Sequence, residues 1–298
     1  MSLMDKLIGA TVPLVPKPLV RHIAASYIAG ETLDEQVLAI KELNGKGFMV
    51  ASSILGEDVT EKSESVEAVQ QYEEVLVTIA SQRLNSNIHV KLTHLGLNLD
   101  KEFCYNNVRR LLEVANSYGN FVRIDMEESP TTDDTFDVFF RLNAEFENVG
   151  CVVQACLRRT ANDVQKLTAA KANVRICKGI YIEPREIAYL DRGKIRESYA
   201  VSLAELLTAG CYVGIATHDK WLVDEAFRII GTLDLDPFQY EFQMLHGVDP
   251  ELRESIIGAG HRLRVAVPFG PRWYPYSVRR LRKNPRIARY VLQALLTR

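Results

Sequence analysis

Residues 88–126, IHVKLTHLGLNLDKEFCYNNVRRLLEVANSYGNFVRIDM, decide the fold. Ile88–Leu92 and Phe121–Met126 are short β-rich runs, and Lys101–Ser117 between them carries apolar residues at helical spacing. The same alternation continues in both directions. Strands are predicted at Phe48–Ser52, Cys151–Ala155, Val174–Cys177, Tyr212–Ala216, Phe238–Phe242 and Leu263–Val267. Helices are predicted over Glu64–Leu84, Thr132–Glu147, Ala161–Lys171, Glu186–Thr208, Lys220–Gly231 and Pro250–Ala259. Strand–helix alternation repeated eight times predicts an α/β fold, a (β/α)8 barrel, with a doubly wound open sheet as the structural rival. Residues 1–45 precede the first strand and read as an N-terminal helical extension, and 46–298 as the barrel. No internal repeat, low-complexity tract or linker divides the chain, so a single domain is expected.

The 298 residues hold 36 Lys and Arg against 38 Asp and Glu, a formal charge of −2, which gives no general reason to expect nucleic acid as partner. No run approaches the roughly 18 apolar residues of a membrane span. The apolar start is broken by Pro13, Pro16 and Pro18 and lacks a small-residue cleavage pattern, so no secretory leader is expected. Five cysteines, an odd number with no CxxC pair, argue against a disulfide framework or a zinc knuckle and fit a reducing cytoplasm. No metal is expected. From His261 to Arg298 there are ten Arg or Lys and no acid. Such a run is a solvated basic face, or a patch for peripheral contact with an anionic membrane surface.

In a barrel of this class, chemistry collects at the C-terminal ends of the strands. Reading each run to its end gives Ser52 and Ser53, Lys91, Asp125 with Glu127, Gln154, Arg175 with Lys178, Thr217 with His218, Glu241 with Gln243, and Arg264. Barrel strands are mostly apolar inside, so Lys91 and Asp125 need partners. Alone they suit a structural ion pair in the barrel mouth. After the last strand comes VPFGPRWYPYSVRRLRKNP, with Pro271 at a helix start and Pro285 past its end. Tyr276, Arg279 and Arg280 fall at i, i+3 and i+4 on one face, and Trp273 extends it. Two arginines on a helix capping the mouth make a fork suited to a carboxylate.

The strand-end residues, together with KGIYIEP, ATHD, FQMLHGV and WYPYSVRRL in that order, resemble the proline dehydrogenase family from about Val50 to Asn284. The resemblance is to monofunctional bacterial enzymes and to the dehydrogenase module of the bifunctional proline utilisation flavoproteins. It implies a barrel that binds FAD without covalent attachment. It also implies oxidation of L-proline to Δ1-pyrroline-5-carboxylate by hydride transfer from C5, with electrons passed to a quinone. Lys91, Arg279 and Arg280 would hold the substrate carboxylate, and Tyr276 shares their helix face. Asp125 would orient Lys91, and Met126 would lie at the flavin. Gln154 would hydrogen-bond the isoalloxazine and Arg175 would stand near its reactive nitrogen. Lys178, Gly179 and Ile180 would line the cofactor, with Thr217 and His218 as its next contact. Glu57 is a candidate gate, pairing with Arg280 when the last helix closes as a lid.

Three positions depart from the family pattern. Ala266 stands where a tyrosine usually packs on the substrate ring. Lys283 replaces an acid after the arginine pair, and Ile180 replaces a smaller residue. The first opens 4-hydroxy-L-proline or another cyclic secondary amine as substrate. Two readings of other classes remain: a Schiff-base aldolase or lyase using Lys91 or Lys178, and an inactive barrel that binds partners through its basic tail.

Overall fold

The computed structural model describes residues 27–274 together with Ser277. Eight parallel strands form a closed barrel in chain order. They are β1 (Met49–Ile54), β2 (Ser86–Val90), β3 (Val122–Ile124), β4 (Val149–Gln154), β5 (Asn173–Cys177), β6 (Val213–Ala216), β7 (Tyr240–Leu245) and β8 (Leu263–Phe269). β8 closes on β1 with Ala266 beside Ala51. Each predicted run overlaps one observed strand, so the barrel stands and the open sheet falls. The helices are α1 (Leu33–Gly45), α2 (Lys62–Ser81), α3 (Lys101–Ser117), α4 (Thr132–Asn143), α5 (Thr160–Ala169), α6 (Arg192–Thr208), α7 (Lys220–Leu233) and α8 (Pro250–Gly258). The lid helix with Tyr276, Arg279, Arg280 and Lys283 lies outside the described residues.

The helices form where apolar residues recur at three and four. α2 buries Ala68, Val69, Tyr72, Val75, Leu76 and Ile79 along one stripe. α3 starts where the Asp100 carboxylate accepts from the backbone N–H groups of Glu102 and Phe103, both at 3.1 Å. α6 begins at Arg192, six residues later than Glu186. Asp191 caps it by accepting from Lys194 N–H at 2.9 Å. The segment before it makes a single turn, with Ala188 N–H donating to Pro184 O at 3.0 Å, and is tied to the β4–α5 loop: Arg158 N–H donates to Ile187 O at 2.8 Å and Tyr189 N–H to Cys156 O at 2.7 Å.

The strand interiors overturn one expectation. In β2 the side chains of Ile88 and Val90 are fully buried among apolar neighbours, while His89 between them reaches Arg175 on the non-adjacent strand β5. That contact crosses the barrel axis. Alternation therefore sends a largely polar row inward and the apolar row outward against the helices. Arg123 on β3 likewise reaches Asn173 on β5, past β4. Gly150 on β4 makes the passage, because a Cβ there would lie 2.3 Å from the Arg123 Nη1. The hydrophobic core is the ring between strands and helices, and the lumen is a column of hydrogen-bonded polar groups.

Candidate active site

At the C-terminal mouth, three strand ends bring Lys91, Asp125 and Arg175 together. Asp125 does not pair with Lys91. Its Oδ1 accepts from Arg175 Nη2 at 2.9 Å, and Lys91 donates to Glu57 Oε2 at 2.7 Å. Asp125 and Arg175 both sit in the lumen row, and Lys91, just past the end of β2, meets Glu57 of the β1–α2 loop. Glu57 thus has a partner at the mouth itself, and its expected partner Arg280 lies outside the described residues.

Arg175 is held at a second point, with Nη1 3.0 Å from His89 Nδ1. His89 is 3% exposed, and burial, helped by Arg175, Arg123 and Arg264, keeps its pKa well below the ordinary histidine value. The ring is therefore neutral near pH 7 and accepts the Arg175 hydrogen at Nδ1, which places its own proton on Nε2. The Arg175 Nε is buried with no hydrogen-bond partner.

Gln154 ends β4 and donates from Nε2 to Glu127 O at 2.9 Å. Glu127 takes Thr93 N–H at 3.0 Å and the Thr93 hydroxyl at 2.7 Å. Burial raises its pKa, opposed by those two hydrogen bonds and by Lys91. Met126 is buried. Gly179 has φ +95°, and a Cβ would stand 2.3 Å from Cys156 Sγ and 3.3 Å from Gln154 Oε1. A side chain there has no room against Cys156 and Gln154. Ile180, the next residue, is 72% exposed.

Lys178 belongs to a second cluster. Its Nζ is 3.0 Å from Asp219 Oδ2, and Arg196 Nη2 and Nε reach the same carboxylate at 2.6 and 3.0 Å. Arg192, one turn earlier on α6, is 3.5 Å away. Burial alone would raise the Asp219 pKa. Hydrogen bonds from Arg196 and Lys178, with their charges, outweigh it and hold the carboxyl well below the usual range. Three cations thus face one acid. The Thr217 hydroxyl accepts from Asp219 N–H at 3.1 Å, and His218 Nε2 accepts from Leu245 N–H at 2.9 Å. Ala266, where a ring is expected, faces the lumen beside Ala51 and Leu245.

Several contributors escape the sequence reading. His89 shares the alternating face of Lys91, and that parity was the signal for it. Asp219 lies inside ATHD, and Arg192 with Arg196 stand at i and i+4 on α6. Glu183, inside KGIYIEP, accepts from Ser129 N–H at 2.8 Å and the Ser129 hydroxyl at 2.6 Å, tying the β5–α6 loop to the β3–α4 loop. Conversely, Glu241 and Arg264 do not belong here. They pair at the opposite mouth, because β7 and β8 begin at Tyr240 and Leu263. Among the described residues no group of His, Cys, Asp and Glu is arranged to hold a metal ion.

The residues fit a flavin on two counts. Arg175 carries an orphaned buried N–H. The surplus of cations over Asp219 suits a diphosphate.

A family model for proline dehydrogenase matches residues 37–292. Proline dehydrogenase 1 of Bacillus subtilis is 34% identical over 92% of this chain and 90% of its own length. Proline dehydrogenase of Deinococcus radiodurans is 30% identical over 92% and 90%. Among solved structures, proline utilization A from Bdellovibrio bacteriovorus, inactivated by N-propargylglycine, superposes with a TM-score of 0.81 at 24% identity. That match covers 87% of this chain and 32% of the longer protein, so it speaks for the fold. With its barrel, its strand-end residues and these matches, the chain belongs to the proline dehydrogenase family.

Proposed function

We propose that this protein oxidises L-proline to Δ1-pyrroline-5-carboxylate with FAD at the C-terminal mouth, delivering the electrons to a quinone. The observation that carries the reading is the convergence of Lys91, Asp125, Arg175, Gln154 and Gly179 on one mouth of the barrel. FAD, when bound, accepts the hydride that leaves C5 of proline. Gln154, Arg175, Gly179 and the Met126 side chain would hold its ring, Thr217 and His218 its neighbouring atoms, and Lys178, Arg192 and Arg196 its phosphates.

The chain's own groups have two tasks, orientation and charge. Lys91 binds the substrate carboxylate, and Glu57 holds the ammonium in place through its 2.7 Å ion pair. Loss of hydride from C5 needs the nitrogen lone pair, so the amine must first be neutral. A cation about 4 Å away is worth about 4 kcal/mol at an effective dielectric near 20. Lys91, with the arginines the family resemblance supplies at 279 and 280, disfavours the ammonium and so eases deprotonation. Asp125 and His89 fix Arg175 from two sides, so its guanidinium needs no rearrangement during reaction.

Ala266 supports a second substrate reading, because the small side chain leaves room for a ring substituent such as the hydroxyl of 4-hydroxy-L-proline. The ion pairs of Lys91 with Glu57 and Lys178 with Asp219 count against a Schiff-base lysine, which needs a free neutral amine. Peripheral contact with a membrane would use the basic C-terminal segment. Among the described residues no helix is long and apolar enough to cross a membrane.

The test is spectroscopic. Purified protein is expected to be yellow and to bleach when proline is added without oxygen. A colourless protein that takes up no FAD overturns the reading.

A further inference from the structure

The opposite, N-terminal mouth of the barrel holds a cavity of about 560 Å3, within the size range of small-molecule sites. Its inner wall is Arg123 and Arg264, with Glu241 beside them, and Arg83 stands exposed at its rim. Three arginines thus face one acid.

That acid is fully engaged. Arg264 grips Glu241 at two points, 2.7 and 2.9 Å, and Tyr212 O–H and Gln243 Nε2 donate to it at 2.9 and 2.7 Å. Arg123 has no such partner. Its Nη1 donates to the Cys151 and Asn173 carbonyls at 3.0 and 2.8 Å, and its Nη2 donates to Asn173 Oδ1. The Nε is buried without a partner, and no carboxylate lies within ion-pair distance among the described residues. The Phe121 ring packs over it at 4.9 Å. Arg123 is only 2% exposed. Burial, with Arg175 further along the lumen, lowers its pKa to about 10, so it remains charged at neutral pH. A buried charge without a counter-ion is costly, and neutral acceptors alone offset that incompletely. Gly150 is the room made for this side chain, since a Cβ would meet it at 2.3 Å.

We propose that the N-terminal mouth is a second binding site, taking an oxyanion (a carboxylate or phosphate group of a small metabolite) against Arg123, with Arg83 completing the rim. The site is lined from the strand starts and does not depend on the reading of the catalytic mouth. Its lining shares no residue with Lys91, Asp125, Gln154, Arg175 or Gly179, so an anion there and a substrate at the other mouth bind to separate groups.

Isothermal titration of the purified full-length protein with inorganic phosphate, and in a second arm with acetate, tests it. Saturable binding is expected in at least one arm, and the stronger arm identifies the headgroup. Arg123→Met should weaken it about tenfold or more, the loss of a charged hydrogen bond. Arg83→Glu alters only an exposed side chain and should weaken it severalfold even if Arg123→Met folds poorly. Lys91→Met, at the catalytic mouth, should leave it unchanged. No saturation below about 10 mM in either arm, where affinities fall under ordinary weak binding, overturns the proposal. So does binding that survives Arg83→Glu and is lost in Lys91→Met.

Discussion

Ala266 is the residue on which substrate choice turns. It lies in the lumen row beside Ala51. Ala266→Tyr restores a ring there, and steady-state kinetics should show a lower KM for L-proline and a weaker response to 4-hydroxy-L-proline. Unchanged or weaker proline affinity would mean that position 266 does not face the substrate. Gly179 is constrained twice, by φ +95° and by the 2.3 Å approach of a Cβ to Cys156 Sγ. Gly179→Ala should cost about 1–3 kcal/mol in strain. It should also release FAD more readily, measured as flavin lost on gel filtration. A variant that melts and retains flavin like the parent would show that the β5–α6 loop does not form the cofactor's seat. The two substitutions separate pocket from cofactor: the first moves KM with flavin content intact, the second moves flavin content.

At the scale of elements, the Asp100 cap of α3 is the cleanest local test. Its carboxylate takes two orphan N–H groups and also meets Lys62 at 2.8 Å. Hydrogen bonds from Lys62 and the Phe103 amide lower its pKa. Asp100→Ala should give a small drop in Tm, with Asp100→Asn recovering most of it. The strands were legible because their outward row is apolar and bounded by turns, as in β2, where Ile88 and Val90 bracket His89. Their inward row was not, since a polar lumen breaks the expectation that barrel strands are apolar throughout. That is why Arg175 drew Asp125 away from Lys91, and why Arg264 was placed at the wrong mouth. The run Leu263–Val267 was read to its polar residue, but Arg264 is the second residue of a strand that continues to Phe269. α6 starts later than its spacing predicts because Glu186–Tyr189 has helix-compatible residues, while hydrogen bonds to Cys156 and from Arg158 hold it against the β4–α5 loop. Such pairings come from a loop distant in sequence, so local spacing carries no trace of them.

Over the whole molecule, the buried histidines set the response to acid. His94 is 6% exposed, and burial, with Arg272 and Lys91 nearby, lowers its pKa to about 4; His89 is also lowered, and His261 follows by burial. A histidine that stays neutral when folded takes up a proton on unfolding at any pH below its unfolded value of 6.5. The unfolded chain then binds more protons, so stability falls as pH drops below 6.5. For His94 the loss runs until about pH 4, about 1.4 kcal/mol per unit and about 3 kcal/mol in all. Asp219 acts in the same direction but in a lower window. Its pKa is depressed, so its contribution is intact above 3.8 and is lost only as pH falls further. Between pH 6.5 and 5 the histidines therefore lower stability as pH falls, while Glu127, whose pKa burial raises, acts the other way. Urea unfolding of the parent and of His94→Gln at pH 7.5, 6 and 5 checks this. The parent should lose stability steeply across that range, and the variant should lose about 2 kcal/mol less between pH 6.5 and 5, whatever its stability at pH 7.5. Gly56 packs so closely on His94 that the variant is expected to start lower, because a Cβ at 56 would lie 2.2 Å from Nε2. The slope and not the intercept is the readout, and parallel curves for the two proteins would place the titrating group elsewhere.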